Sequence, residues 1–454
     1  MGSPKKEEIT MKQEIIQLLE AKDYKSIRDY INALNSANIA EILEELDETN
    51  LLLVFRLLTK DHAVETFAYL SNETQQLLIS KITDTEIKHL VDELFFDDVI
   101  DLLEEMPANI VKKILSHVDE KQRPLINQFL MYPENSAGSL MTIEYVDLKR
   151  HYTVQDALLD IKRTGLTKET VYTCYVIDAN RKLEGIVSLR DLVTSDLDAK
   201  IEDLMTSDIV YVHTHDDQEK VAQLFKKYDF LALPVVDNED RLVGIITVDD
   251  IIDVIEEETT EDMYKMAAMA PSEKLYLATK PLQLAKNRIG WLLFLMISAT
   301  FTGYIIRYFE DALQQIVILA SFIPMLMDTA GNAGAQASTT IIRGLALNEI
   351  KTSDVAKIVF KEFQVSLIVG VLLALVNFIR ILVFDQTSFG IALTVALTLY
   401  VTVILAKLIG ATLPLIASKL KLDPAIMASP LITTIVDALS LLVFFRLAVL
   451  ILGI

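Results

Sequence analysis

The chain has 454 residues, 52% of them hydrophobic, with 42 Lys+Arg against 64 Asp+Glu for a formal net charge of −22. That length admits two to four domains, and so acidic a balance excludes nucleic acid as a partner and favours cations. From Asn287 onward there are 11 basic and 9 acidic residues, leaving 31 basic and 55 acidic before it, so an acidic part is joined to a nearly neutral apolar part. The single cysteine, Cys174 in the run VYTCYVI, provides neither a disulfide framework nor a zinc cluster and fits a reducing cytoplasm. The charged start of the chain reads as helix, not as a cleavable signal peptide.

Residues 1–133 carry a short repeat. An apolar residue recurs every twelve positions: Leu34, Leu46, Leu58, Leu70, Ile82, Leu94, Met106, Val118 and Leu130. Most residues three and four before each are apolar too, which makes one stripe on a two-turn helix. Breakers such as Asp47-Glu48-Thr49 and Thr83-Asp84-Thr85 separate the stripes. A right- or left-handed solenoid of short helices is expected, a scaffold or sensor. Asp97 and Asp101 in FFDDVID lie four apart on one face. They are either helix-start acids set against the macrodipole or half of a cation site shared with the next domain.

Residues 134–200 and 201–258 are an internal tandem. The stretch from Tyr175 to Val193 matches Pro234 to Ile252 at a fixed offset of 59, and a Leu-Met-Thr triplet opens each copy at 140 to 142 and 204 to 206. Each copy reads as strand, Asx turn, strand, helix, giving an α/β module with pseudo-twofold symmetry. The pair resembles a tandem cystathionine-β-synthase (CBS) domain, a family whose clefts often hold adenine nucleotides, though many members bind none. The resemblance implies a nucleotide role for Gly185, Ser188 and Asp191 in the first copy and Gly244, Thr247 and Asp250 in the second.

Acids crowd the second copy and its exit: Asp217, Asp249, Asp250, Asp253, Glu256, Glu257, Glu258 and Glu261. Close like charges cost about 1 kcal/mol each in water and more where partly buried, so this many need counterions. Oxygen ligands without thiols suit Mg²⁺ or Ca²⁺ over zinc or copper. Folded against Asp97 and Asp101, these acids repel unless divalent ions bridge them, so loss of cytosolic Mg²⁺ is expected to spread the domains. Residues 259–287 read as an amphipathic connecting helix, an interfacial linker or a plug-like lever.

Residues 288–454 read as a transmembrane domain of five helices. The spans are Ile289 to Ile306, Ala312 to Ile342 with Asp328 inside, Phe363 to Phe384 with Arg380, Phe389 to Ile416 with Lys407, and the stretch from Asp423 with Asp437 at its deepest. Lys and Arg in the 343–362 and 419–423 loops place the acidic half in the cytoplasm and the C-terminus outside, in a multi-pass plasma or inner membrane protein. A carboxylate such as Asp437 costs a few kcal/mol in hydrocarbon, so it faces a partner or water and lines a cation path. Thr433, one turn away, joins it, and Asp328, Asn332 and Gln336 add polar groups on span two. Five helices enclose a pore poorly, so a homodimer with two Asp437 residues across its axis is expected.

The order of solenoid, CBS pair, connecting helix and five spans carries P-x-x-M-D-T-A-G-N-A-G-A-Q from Pro324 and D-P-A-x-x-x-S-P-x-x-T-T-x-x-D from Asp423. It resembles the MgtE-type magnesium channels over essentially the whole chain. The resemblance implies a homodimer with its pore on the twofold axis, closed by its cytosolic domains when Mg²⁺ is plentiful. The family's selectivity aspartate falls on Asp437, with backbone near Thr433 helping to hold the hydrated ion. Some members have glycine at Ala330, asparagine at Ala335 and an acid at His215. The expected function is Mg²⁺ influx gated by Mg²⁺, with ATP as a modulator. The alternatives are a transporter that also takes Co²⁺ or Mn²⁺, or a nucleotide-sensing membrane scaffold. An enzyme is not expected, for no nucleophile–base set or P-loop is present.

Overall fold

The computed structural model describes residues 13–119, 122–272, 276, 277, 279–427 and 429–453. The first twelve residues of the expected solenoid, residues 273–275 and 278 of the connecting segment, and Ala428 and Ile454 of the last span lie outside them. Contacts divide the chain into two units, Met1–Ile255 and Glu256–Ile454.

The first unit opens with helix at 13–20, then α1 (Tyr24–Ile31), α2 (Ser36–Glu44), α3 (Glu48–Phe55), α4 (Lys60–Ala68), α5 (Asn72–Lys81), α6 (Asp84–Glu93), α7 (Phe96–Glu105), α8 (Ala108–Leu115) and α9 (Arg123–Phe129). From α2 to α8 the N-caps are Asn35, Asp47, Thr59, Ser71, Thr83, Phe95 and Pro107, a strict twelve-residue step. Each periodic apolar residue sits just before its cap, the place from which a hydrophobic side chain fixes the entry of the helix that follows. At α6 the cap is reciprocal: Thr83 accepts from the Glu86 N–H and Glu86 accepts from the Thr83 N–H.

The tandem folds as two equivalent three-stranded sheets. β1 (Val146–Lys149) runs parallel to β2 (Thr173–Ile177), which pairs antiparallel with β3 (Leu183–Ser188). β4 (Val212–His213), β5 (Ala232–Val236) and β6 (Leu242–Thr247) repeat the order. The register slips at Val176/Ile177 in one copy and at Val235/Val236 in the other, the same place at the sequence offset. The expected Asx turns form, with Asp178 Oδ1 2.7 Å from the Asn180 N and Asp237 Oδ1 2.8 Å from the Glu239 N. Helices α10 (Val154–Thr164), α11 (Leu189–Thr194), α12 (Ile201–Leu204), α13 (Gln218–Tyr228) and α14 (Val248–Met266) complete the pair. One apolar core runs from the solenoid through Phe96 and Phe129 to Ile246, Ile251 and Val254, so the solenoid shares its interior with the second copy.

The expected single helix over 259–287 is corrected. α14 runs unbroken to Met266, Ala268 takes a left-handed φ of 54°, and the next helix, α15, begins at Pro281. Pro271 lies in the intervening stretch, and a proline obstructs continuation of the preceding turns.

The second unit holds five helices long and apolar enough to cross a membrane. Span one is α15 (Pro281–Tyr308). After the short α16 (Glu310–Gln315), span two is a 3₁₀ turn leading into α17 (Ile323–Ala346). Span three is α18 (Val355–Arg380) with a π turn, span four is α19 (Phe389–Lys419), and span five is α20 (Ser429–Leu452), entered by the 3₁₀ turn Pro424–Met427. Span four is the centre, packed by spans two, three and five, while span one leans chiefly on span five. Lys407 is buried within the protein, which keeps its ammonium out of lipid.

Candidate functional site

In the first unit, carboxylates from four separate segments converge. Asp97 and Asp98 open α7, Asp249 and Asp250 open α14, Glu144 precedes β1 and Glu169 precedes β2. Asp97 is only 7% exposed, and burial, then Asp250, Asp98 and Glu169, push its carboxyl well above the carboxylate range. Burial and then Asp249 push Asp98 up to about 6. Burial raises Asp250 to about 7, although the Thr247 hydroxyl donates to its Oδ2 at 2.8 Å and opposes the shift. Glu169 reaches about 8, through burial and then Asp249, Asp250, Asp98 and Glu144. Its Oε2 is closed off from solvent with no hydrogen-bond partner among the described residues. Glu144, raised chiefly by burial, accepts the Phe96 N–H at 3.3 Å.

Six acids acting on one another favour either protonation or a positive charge beside them. Among the described residues no three His, Cys, Asp or Glu side chains stand close enough to hold a bare metal ion. A hydrated Mg²⁺, which keeps most of its waters and takes one or two carboxylates, does not require such a cage.

The sequence pattern located Asp97, Asp249 and Asp250 here but not Asp98, Glu144 or Glu169. Asp101 and Asp253 are exposed one turn further along their helices. Asp217 stands apart as the N-cap of α13, accepting the Glu219 N–H at 2.9 Å. Glu256, Glu257, Glu258 and Glu261 follow along α14 in the second unit, and Glu261 pairs with Lys265 at 2.6 Å.

The residues matched to a nucleotide motif have local structural duties. A Cβ on Gly185 would lie 2.7 Å from Met205 Sδ, and one on Gly244 2.7 Å from the Thr142 carbonyl oxygen, so both glycines admit the Leu-Met-Thr segments. Ser188 and Asp191 form a reciprocal cap at α11, with the hydroxyl 2.6 Å from Asp191 Oδ2. Asp191 is exposed, whereas Asp250 belongs to the acid site.

In the second unit, Asp328, Asn332 and Gln336 are exposed at successive turns of α17, a polar stripe on a membrane-length helix. Asp437 on α20 lies close enough to Asp328 for their charges to interact. Gly331 brings the helices together, for its Cβ would lie 3.0 Å from Thr433 Cγ2. The Thr433 and Thr434 hydroxyls donate to the Pro430 carbonyl at 3.0 and 2.9 Å, which fixes both rotamers and leaves their oxygens free to accept.

Residues 323–447 match the family model of MgtE, divalent cation transporter; residues 34–135 match the MgtE intracellular N domain, and 137–198 and 201–257 each match the CBS domain. The chain is 35% identical over 438 residues to a magnesium transporter MgtE of Bacillus subtilis, covering 96% of each. It is 34% identical over 436 residues to that of Thermus thermophilus, covering 95% of this chain and 96% of the relative. The solved soluble part of a magnesium transporter superposes with a TM-score of 0.52 at 32% identity, over 55% of this chain and 99% of that one. The cytosolic domain of the Mg²⁺ channel MgtE in complex with ATP gives 0.51 at 34% identity, over 53% of this chain and 98% of that one.

Proposed function

The chain belongs to the MgtE family of magnesium transporters, divalent cation transporters and not enzymes, and on that premise we propose that it is a dimeric channel for Mg²⁺ influx. The observation that carries the reading is the outward polar stripe of Asp328, Asn332 and Gln336 beside Asp437. A membrane-length helix cannot show such a stripe to lipid, so it faces water along an axis shared with a second copy. Carboxylates and carbonyls hold a hydrated Mg²⁺ there without stripping its waters. A membrane potential drives a dication inward by about 4.6 kcal/mol per 100 mV, so transport needs no ATP hydrolysis.

The acid site is the gate's sensor in this reading, with Asp97, Asp98, Glu144, Glu169, Asp249 and Asp250 neutralised by cytosolic Mg²⁺. The acidic half lies in the cytoplasm and the C-terminus outside. Adenine nucleotide takes the first-copy cleft at Gly185, Ser188 and Asp191, because Asp250 in the second is engaged by other acids. Mg²⁺ entry into proteoliposomes, read by an internal dye, tests the pore. Asp437→Ala is expected to abolish it; undiminished, selective entry in that variant would refute the ion path, and no entry in either protein would favour a nucleotide-sensing scaffold.

A further inference from the structure

Lys265 makes an ionic contact outside both the acid site and the polar stripe. Lys265, the penultimate residue of α14, places its Nζ 2.6 Å from Glu261 Oε1 and 2.7 Å from Asp423 Oδ2. Asp423 belongs to the short link between spans four and five. Its other oxygen accepts the Ala425 N–H at 2.8 Å, which caps the 3₁₀ turn Pro424–Met427 from which span five rises. The far end of that turn is held from span two, where the Ser338 hydroxyl donates to the Met427 carbonyl at 2.9 Å. Between these two fixings Ala425 is fully buried, packed with Ile342 of span two and Met266 of α14.

The surroundings of the lysine are acidic. Burial, then Asp423, push the neighbouring Asp262 up to about 6, with Glu258 and Glu261 adding to the shift and Lys265 opposing it. Without the ammonium, four carboxylates would face one another across the end of α14 and the link. The contact therefore joins the end of α14 to the 3₁₀ turn that precedes the helix bearing Thr433 and Asp437.

We propose that Lys265 is a positioning residue for ion passage: its ammonium fastens the end of α14 to the Asp423 turn and so sets where span five begins. The inference rests on reading spans two and five as the ion path and extends it to the element that holds the path's entrance. The lysine reaches no permeating ion; it acts through Asp423.

The test uses the full chain in proteoliposomes with Lys265→Met, Lys265→Arg, Asp423→Asn, the Lys265→Met/Asp423→Asn double variant and the exchange Lys265→Asp/Asp423→Lys. Two quantities are read: the Mg²⁺ concentration on the α14 side that halves Mg²⁺ entry, and the rate of disulfide trapping between Met266→Cys and Ile342→Cys. The native Cys174 is buried and does not compete. Lys265→Met and Asp423→Asn are each expected to raise the half-closing concentration about threefold, the size of one partly buried ion pair, and to slow trapping by a similar factor. Lys265→Arg stays near the parent, the exchange recovers both readouts, and the double variant is no worse than either single one. Unchanged readouts in Lys265→Met, additive effects, or an exchange that recovers neither would overturn the proposal. If the parent carries no Mg²⁺, the pore reading fails, while trapping still decides whether Lys265 holds the turn.

Discussion

Gly410 and Gly334 bring spans four and two into backbone contact: a Cβ on Gly410 would collide with the Gly334 carbonyl oxygen. A Cβ on Gly334 would in turn lie 2.8 Å from Ile432 Cγ2 of span five and 3.2 Å from the Ala406 carbonyl oxygen. Three spans thus meet at one level, a turn from the Gly331–Thr433 contact. Lipid gives no hydrophobic drive between helices, so association here depends on close packing of small residues.

Gly410→Ala is expected to push spans two and four apart, an overpacking that costs about 1–3 kcal/mol. A lowered thermal midpoint and reduced Mg²⁺ entry should appear in the same preparation. Gly303→Ala, where nothing lies within 4 Å, is the control and should match the parent. Equal behaviour of the two variants would show that the close approach is not needed.

The acid site predicts a pH dependence of stability. Burial and mutual repulsion raise these carboxyls, so between the ordinary carboxylate range and their folded values the folded chain binds protons that the unfolded chain has lost. Their contribution is fully present below about pH 4 and is lost as pH rises through the folded values, about 6 at Asp98, about 7 at Asp250 and about 8 at Glu169. Mg²⁺ binds only the ionised form, so it should raise the thermal midpoint more at about pH 8 than at about pH 5.5. Equal increments at the two pH values would mean that the ion binds elsewhere.

The twelve-residue period was legible because each repeat spends its apolar residue at the same place, just ahead of a cap. The tandem was legible because the copies share turn chemistry at Asp178 and Asp237. Both are local regularities. The acid site is not local: Glu144 and Glu169 stand alone in loops with no spacing to mark them, and only the folded sheet order brings them to Asp98. Asp217 also has a local role, since an acid before a helix serves as its cap. Pro271 marks in the sequence a place where one connecting helix does not continue. The Lys265–Asp423 pair has no mark in the sequence because 158 positions, the difference between the two residue numbers, separate its members.

The nucleotide reading separates the two copies. Both aspartates accept from the hydroxyl three residues before them, but Asp191 is exposed while Asp250 faces other acids. Asp191→Ala is expected to weaken ATP binding to the full chain by tenfold or more, taking about 1.5–3 kcal/mol for a hydrogen bond to a charged group, whereas Asp250→Ala leaves it within about twofold. Calorimetric titration reads both. Loss in Asp250→Ala alone would move the nucleotide to the second cleft.

The same cluster predicts how the gate should fail. Asp97→Asn with Glu169→Gln removes two of the most strongly raised carboxyls while keeping side-chain size. Amides neither repel the remaining acids nor attract a dication, so the arrangement of the first unit should no longer depend on Mg²⁺. Entry of Mg²⁺ into proteoliposomes should then differ little between low and high Mg²⁺ on the acidic side, whereas the parent's entry falls steeply. The variant keeps Asp437 and the polar stripe, so its selectivity for Mg²⁺ should be unchanged. A parent-like response in this variant would separate the cluster from the gate. A changed selectivity would instead mean that the substitutions disturb the second unit, where neither residue lies.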